Sequence, residues 1–153
     1  MYKVYLAGPW FYGNQAEILS KVESCLDSFS ELEVFSPRRE TLVKPNAKED
    51  ARRQAFDGNV HHVNSSNFVV ALVDDSDKGT LFECGLAYAA KVPILYYSEN
   101  AEKRPFNLML AESCTELGYV TNIESLKERI ELILSKGLEN MHAEKFEGEI
   151  EWE

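Results

Sequence analysis

The residues Phe68 to Val73, FVVALV, form an unbroken apolar run with the length and β-branched content of a strand buried on both faces. Such a strand needs cover on each side, which a parallel sheet flanked by helices supplies. The run ends in acid: Asp74, Asp75, Ser76 and Asp77, followed by Lys78 and Gly79. A helical pattern of Leu81, Glu83, Leu86, Ala87 and Ala90 comes next. Glu83 is therefore expected in the first turn of a helix at the carboxyl end of a buried strand, the edge where open α/β sheets bind ligands.

The rest of the chain repeats this alternation. Val4 to Ala7 reads as a first strand that must turn at Gly8-Pro9, and three aromatics follow, Trp10, Phe11 and Tyr12. On composition alone those rings are as consistent with a lid on the core as with a binding wall. Asn14 to Phe29 carries apolar residues at helical spacing, and Glu33 to Phe35 is a short second strand closed by Ser36-Pro37. A polar connection is expected from Arg38 to about Asp50, then a helix from Ala51 to Ser65 weakened by Gly58. Pro93 to Tyr97 reads as a fourth strand, a helix is expected to begin near Pro105, and Tyr119-Val120 makes a minimal fifth strand. Ile123 to Leu134 is an amphipathic helix with Gly137 as its stop. Strands and helices in this order predict a doubly wound α/β sandwich with a five-stranded parallel sheet in flavodoxin-like order.

The 153 residues, 44% of them hydrophobic, suit one domain spanning 1–153, with an acidic tail from about 139 to 153 whose aromatics leave room for docking. A formal net charge of −10 argues against a nucleic-acid polymer or an anionic membrane surface as partner. No apolar run approaches bilayer length. Three widely spaced cysteines, Cys25, Cys84 and Cys114, suggest neither a disulfide framework nor a zinc cluster, and point to reducing cytoplasm. The adjacent His61 and His62 point in different directions on a helix and are not expected to chelate a metal together.

After the first strand the sequence AGPWFYGN lacks the glycine spacing of a dinucleotide fold, and no phosphate-binding loop motif occurs. No nicotinamide or nucleotide triphosphate cofactor is expected. What remains is a set of carboxylates. At a helix start Glu83 would be favoured in its ionised form, which suits a nucleophile, although Glu is also common there for helix stability alone. Asp77 on the preceding loop and Asp57 on the preceding helix are candidates to share its site. Carboxylates in distinct environments can divide acid and nucleophile roles in glycosyl transfer through an oxocarbenium-like state.

These residues resemble the nucleoside 2-deoxyribosyltransferase family. The resemblance rests on YLAGPWF, the aspartate of AFDGN, DSDKGTLFECGLAYA and RPFNLM, in that order and together spanning most of the chain. It implies a flavodoxin-like fold, no cofactor, and a ping-pong exchange between deoxynucleosides and free nucleobases, a salvage reaction. Glu83 would be the nucleophile and Tyr5 the hydroxyl that orients it. Asp57 and Asp77 would contact the nucleoside and help to protonate the departing base, with Trp10 and Phe11 as the wall beside it. Asn107 and Met109 would reach a neighbouring subunit's site in a homodimer or larger homo-oligomer. Two departures stand out. Where the family often has a glutamine at the base edge, this chain has Arg38, Arg39 and Glu40. Where the family's terminal carboxylate meets the sugar, FEGEIEWE runs slightly further, so Glu151 or Glu153 would take that place. A related 2'-deoxynucleoside 5'-monophosphate N-glycosidase is the enzymatic alternative, disfavoured because Asp74, Asp75 and Asp77 would repel a phosphate close to Glu83. A nucleoside-sensing domain without catalysis is the other.

Overall fold

A computed structural model of the chain describes residues 1–114, 116–142 and 145–151. Its main sheet has five parallel strands: β1 (Tyr2–Ala7), β2 (Leu32–Phe35), β3 (Phe68–Leu72), β4 (Ile94–Tyr97) and, after the short β5 (Phe106–Asn107), β6 (Tyr119–Val120). The spatial order is β2-β1-β3-β4-β6, the doubly wound arrangement expected from the alternating pattern. The helices are α1 (Gln15–Asp27), α2 (Pro37–Glu40), α3 (Glu49–Ser65), α4 (Lys78–Ala89), α5 (Leu108–Glu112) and α6 (Ile123–Lys136).

Alternation along the strands divides the core into two layers. Val4, Leu6, Phe68, Val70, Leu72, Leu95 and Tyr97 face α1 and α6. Tyr5, Ala7, Val69, Ala71, Ile94 and Tyr96 face the other way, toward Val63 of α3, Cys84 and Ala87 of α4 and Ala111 of α5. All five residues of β3 are buried, as its position between β1 and β4 requires. Tyr5 is fully buried mid-strand on the α4 side, which fixes what its hydroxyl can reach.

The turn after β1 is tight. A Cβ on Gly8 would lie 3.1 Å from Leu19 Cδ1 and 3.2 Å from Leu72 Cβ, so glycine lets α1 close onto the sheet. Gly137 ends α6 at φ 87°, the stop that the sequence indicates. Cys25, Cys84 and Cys114 are free thiols, and burial pushes Cys84 up to about 12.

Two expectations change, and a third is given its form. The connection after β2 is not wholly irregular, because Pro37 opens the single turn of α2, and α3 begins at Glu49 and runs unbroken through Gly58. The segment after Pro105 is extended before it is helical: Phe106 N–H donates to Glu149 O at 2.8 Å, and Asn107 then caps α5 by accepting from Met109 N–H at 2.9 Å and Leu110 N–H. The tail supplies the partner strand, β7 (Ile150–Glu151), parallel to β5 with Asn107 opposite Glu151. Phe146 packs its ring 5.1 Å from Phe106 and 5.4 Å from Tyr119. Part of the acidic tail is thus docked through its apolar residues. Trp152 and Glu153 lie outside the described residues. Among the described residues no helix is long and apolar enough to cross a membrane.

Candidate active site

The acidic segment after β3 turns through Ser76 at φ 52°, and Asp77 then caps α4, its Oδ2 accepting from Thr80 N–H at 2.8 Å and Thr80 Oγ1 at 2.9 Å. With Asp77 at the cap and Lys78 as the first helical residue, Glu83 falls in the second turn of α4 rather than the first. One turn further in, it points back at the sheet instead of standing at the positive end of the helix. There the Tyr5 hydroxyl donates to Glu83 Oε1 at 2.7 Å.

This placement reverses the expected electrostatics. Burial raises the Glu83 carboxyl from an ordinary value of 4.5 to about 7; the Tyr5 hydrogen bond pulls it down, and the Asp77 charge pushes it up. A carboxylate expected to be firmly ionised is instead balanced near neutrality. Burial and the adjacent carboxylate also drive the Tyr5 hydroxyl well above its ordinary range, so it remains a donor. Desolvation makes an ionised oxygen at this position a stronger nucleophile than one in water.

The other candidates are distributed unevenly. Asp77 is half-buried and acts on Glu83 through its charge while serving as the helix cap. Asp57 is exposed on α3, its carboxylate 3.7 Å from the guanidinium of Arg53. Trp10 is half-buried against the core and Phe11 is exposed, their ring centroids 4.6 Å apart, so the aromatic cluster is part lid and part open wall. Glu40 and Met109 are exposed. Asn107 and Glu151 line a different feature, a cleft of about 510 Å³ shared with Asp74, Asp75, Ser98 and Arg104. Neither Glu83 nor Tyr5 lines that cleft. Among the described residues no group of three or more His, Cys, Asp or Glu side chains could hold a metal ion.

The two arginines at the expected base edge are turned away from it. Arg38 pairs with the buried carboxylate of Glu23 and donates to Ser20 Oγ at 2.9 Å, and Arg39 pairs with Asp27 at 2.6 Å, all on α1. Ser36 Oγ completes the anchor by donating to Glu23 Oε1 at 2.7 Å. Glu40 ends α2 and is exposed, and Thr41 Oγ1 donates to Asn59 Oδ1 of α3 at 2.9 Å. Sequence reasoning missed the Glu23 anchor, because a single Glu within the apolar spacing of α1 gives no sign that it is buried.

Comparison with known proteins identifies the family and the fold. Residues 4–147 match the family model for nucleoside 2-deoxyribosyltransferase, and the chain belongs to that family. It is similar to the solved structure of a 2-deoxyribosyltransferase from Bacillus psychrosaccharolyticus, with 26% identity, a TM-score of 0.72, and 82% of this chain and 90% of that one covered. A conserved protein from Enterococcus faecalis V583 is 22% identical over 86% of this chain and 98% of that one, with a TM-score of 0.70. A CMP N-glycosidase from Clostridium botulinum shares the fold at 14% identity, with a TM-score of 0.59 over 84% of this chain and 98% of that one. No curated protein sequence matches the chain.

Proposed function

We propose that this protein transfers 2-deoxyribose between nucleobases by double displacement through a glycosyl ester on Glu83. The observation that carries the reading is the Tyr5 hydroxyl held 2.7 Å from Glu83 Oε1 at the carboxyl edge of the sheet. In the first step an ionised Glu83 oxygen bonds to C1' as the C1'–N bond breaks. The bonding pair leaves with the base, which takes a proton from Asp77 or Asp57. In the second step a ring nitrogen of an incoming base attacks C1', expels the Glu83 carboxylate and gives up its proton to the same aspartate. Tyr5 holds one carboxylate oxygen and leaves the other to attack. Trp10 and Phe11 flank the base, and Glu40 stands at its edge.

The site is shared between subunits in this reading. Asn107 and Glu151 face each other across β5 and β7 and line a cleft that neither Glu83 nor Tyr5 lines, and Met109 is exposed on α5; in this reading the three would serve the Glu83 of a partner in a homodimer or larger ring. An exchange site of this kind would work in the cytoplasm on deoxynucleosides and free bases.

The test is to mix deoxyinosine with adenine or cytosine and follow the products by chromatography. New deoxynucleosides are the expected result. Free base and deoxyribose without new nucleoside would make water the acceptor and the protein an N-glycosidase. No turnover with several donors would leave a binding domain.

A further inference from the structure

The aromatic packing around Tyr5 ends on a histidine that no step of the proposed reaction uses. Tyr5 and Phe35 are register partners in the parallel ladder of β1 and β2, so both rings leave the sheet on the side covered by α3. Their centroids lie 5.6 Å apart with an interplanar angle of 24°. His62, in the last turn of α3, then lies nearly flat on Phe35, with centroids 3.7 Å apart and planes at 13°. The end of that helix is pinned by Ser66 Oγ, which donates to His62 O at 2.6 Å.

We infer that His62 is a positioning residue for the Glu83 reaction, acting through Phe35 to hold the Tyr5 ring and so aim its hydroxyl at the carboxylate. The inference rests on the reading of Glu83 as nucleophile. The Tyr5 oxygen is the far end of a rigid ring, so a small tilt of that ring displaces it more than any other atom of the side chain. Productive geometry tolerates only about 0.5 Å of such displacement. Stacking resists the tilt, and Phe35 can resist it only if something holds Phe35. β2 is the edge strand of the sheet, so α3 must supply that support.

The imidazole is suited to the task while uncharged. Burial and the neighbouring His61, with Lys3 of β1, hold it below its ordinary pKa, against the opposing pull of Glu40 on α2 and Glu33 on β2. At neutral pH it therefore packs as a flat neutral ring. His61 is exposed and meets His62 edge to face at 5.4 Å, which makes it a control on the same helix.

The experiment compares wild type with His62→Ala, His62→Phe and His61→Ala in two readouts. One is kcat and KM for base release from deoxyinosine; the other is the titration of the Glu83 carboxyl, followed by carbon NMR of the labelled protein and assigned with Glu83→Gln. His62→Ala should lower kcat about tenfold with KM within about twofold, as expected when a reacting group is misaimed but binding is intact. It should also move the Glu83 midpoint upward, toward that of Tyr5→Phe. His62→Phe should restore both, and His61→Ala, with kcat and KM read at pH 8 where His62 stays neutral without that neighbour, should change neither. If His62→Ala does not fold, His62→Leu fills the space without a flat ring and takes its place. A folded His62→Ala with wild-type kcat and carboxyl midpoint overturns the inference, as does a His62→Phe variant no better than the alanine. A wild type that releases no base sinks the reading of Glu83 as nucleophile, while the carboxyl titration still decides what His62 does.

Discussion

Two regions at the carboxyl edge of the sheet handle charge in opposite ways. Around Glu83 one carboxylate is buried with one hydroxyl, and desolvation dominates. Around Asp74 the carboxylates are solvated or fully engaged: Asp74 accepts from the hydroxyl of Ser98 and from Glu99 N–H at 2.8 Å, and Arg104 donates to its backbone oxygen at 2.7 Å. A cleft of about 510 Å³ lies beside Asp74. The difference teaches that burial, and not the room beside a carboxylate, sets how it holds its proton. Asp74 has its hydrogen bonds already made, whereas Glu83 keeps a buried carboxyl whose protonation is poised.

The strongest way to break this comparison is to remove the buried carboxylate. Glu83→Ala should lower exchange by about 10⁴-fold, the scale of losing a nucleophile. A 2-fluoro-2-deoxyribosyl donor should leave an adduct on the wild type, seen by intact mass and mapped to Glu83; an adduct on Asp77 or on a cleft residue would move the chemistry elsewhere. The cleft side is tested by mixing. Glu83→Ala and Asn107→Ala subunits, each severely impaired alone, should recover about a quarter of wild-type activity when refolded together as random dimers. Heterodimers that co-purify by different tags and stay inactive would confine each Asn107 to its own chain.

Smaller effects sharpen the contrast. Tyr5→Phe removes a hydrogen bond to a charged group, which contributes about 1.5 to 3 kcal/mol and should slow transfer by about 10- to 100-fold. Because that bond lowers the Glu83 pKa, the rising limb of the pH–rate profile, expected near pH 7 in the wild type, should shift to higher pH in Tyr5→Phe. Stability should show the reverse sign. The folded state holds its proton on Glu83 to about 7 and the unfolded chain only to about 4.5, so stability falls as pH rises between those values. The loss is about 3 kcal/mol. Glu83→Gln should therefore melt above wild type at pH 8, and the gap should close near pH 4.5. Equal melting temperatures at pH 8 would mean that the carboxyl is not held in a dry site.

Much of the fold was legible because β3, with its six-residue apolar run and acidic end, admits few solutions once helical segments flank it. Strand order and both layers followed from alternation. The errors lie where tertiary contacts override local pattern. Phe106 and Asn107 look like the start of a helix after Pro105, yet a tail more than forty residues later draws them into a two-residue ladder. Glu83 stands one turn deeper in α4 than the local pattern indicates, because Asp77 is the cap, and that extra turn buries the carboxyl and raises its pKa. Arg38 and Arg39 gave no sign that α1 would claim them, since their partners Glu23 and Asp27 are ordinary helix residues in the sequence. The Tyr5–Phe35–His62 stack was invisible for a similar reason: register between strands cannot be read from either strand alone.

Tyr5 sits buried in the middle of β1, between β2 and β3, and also carries the hydroxyl on Glu83. A residue with both duties is a poor starting point for altering the protein by selection, because any replacement that changes the chemistry also disturbs the packing of β1 against β2 and β3. The exposed side chains Phe11, Glu40 and Met109 have no such double duty. On the proposed reading, libraries aimed at new nucleobases would therefore diversify Phe11 and Glu40 and leave β1 alone, and the variants that survive should differ in what they accept far more than in how they melt.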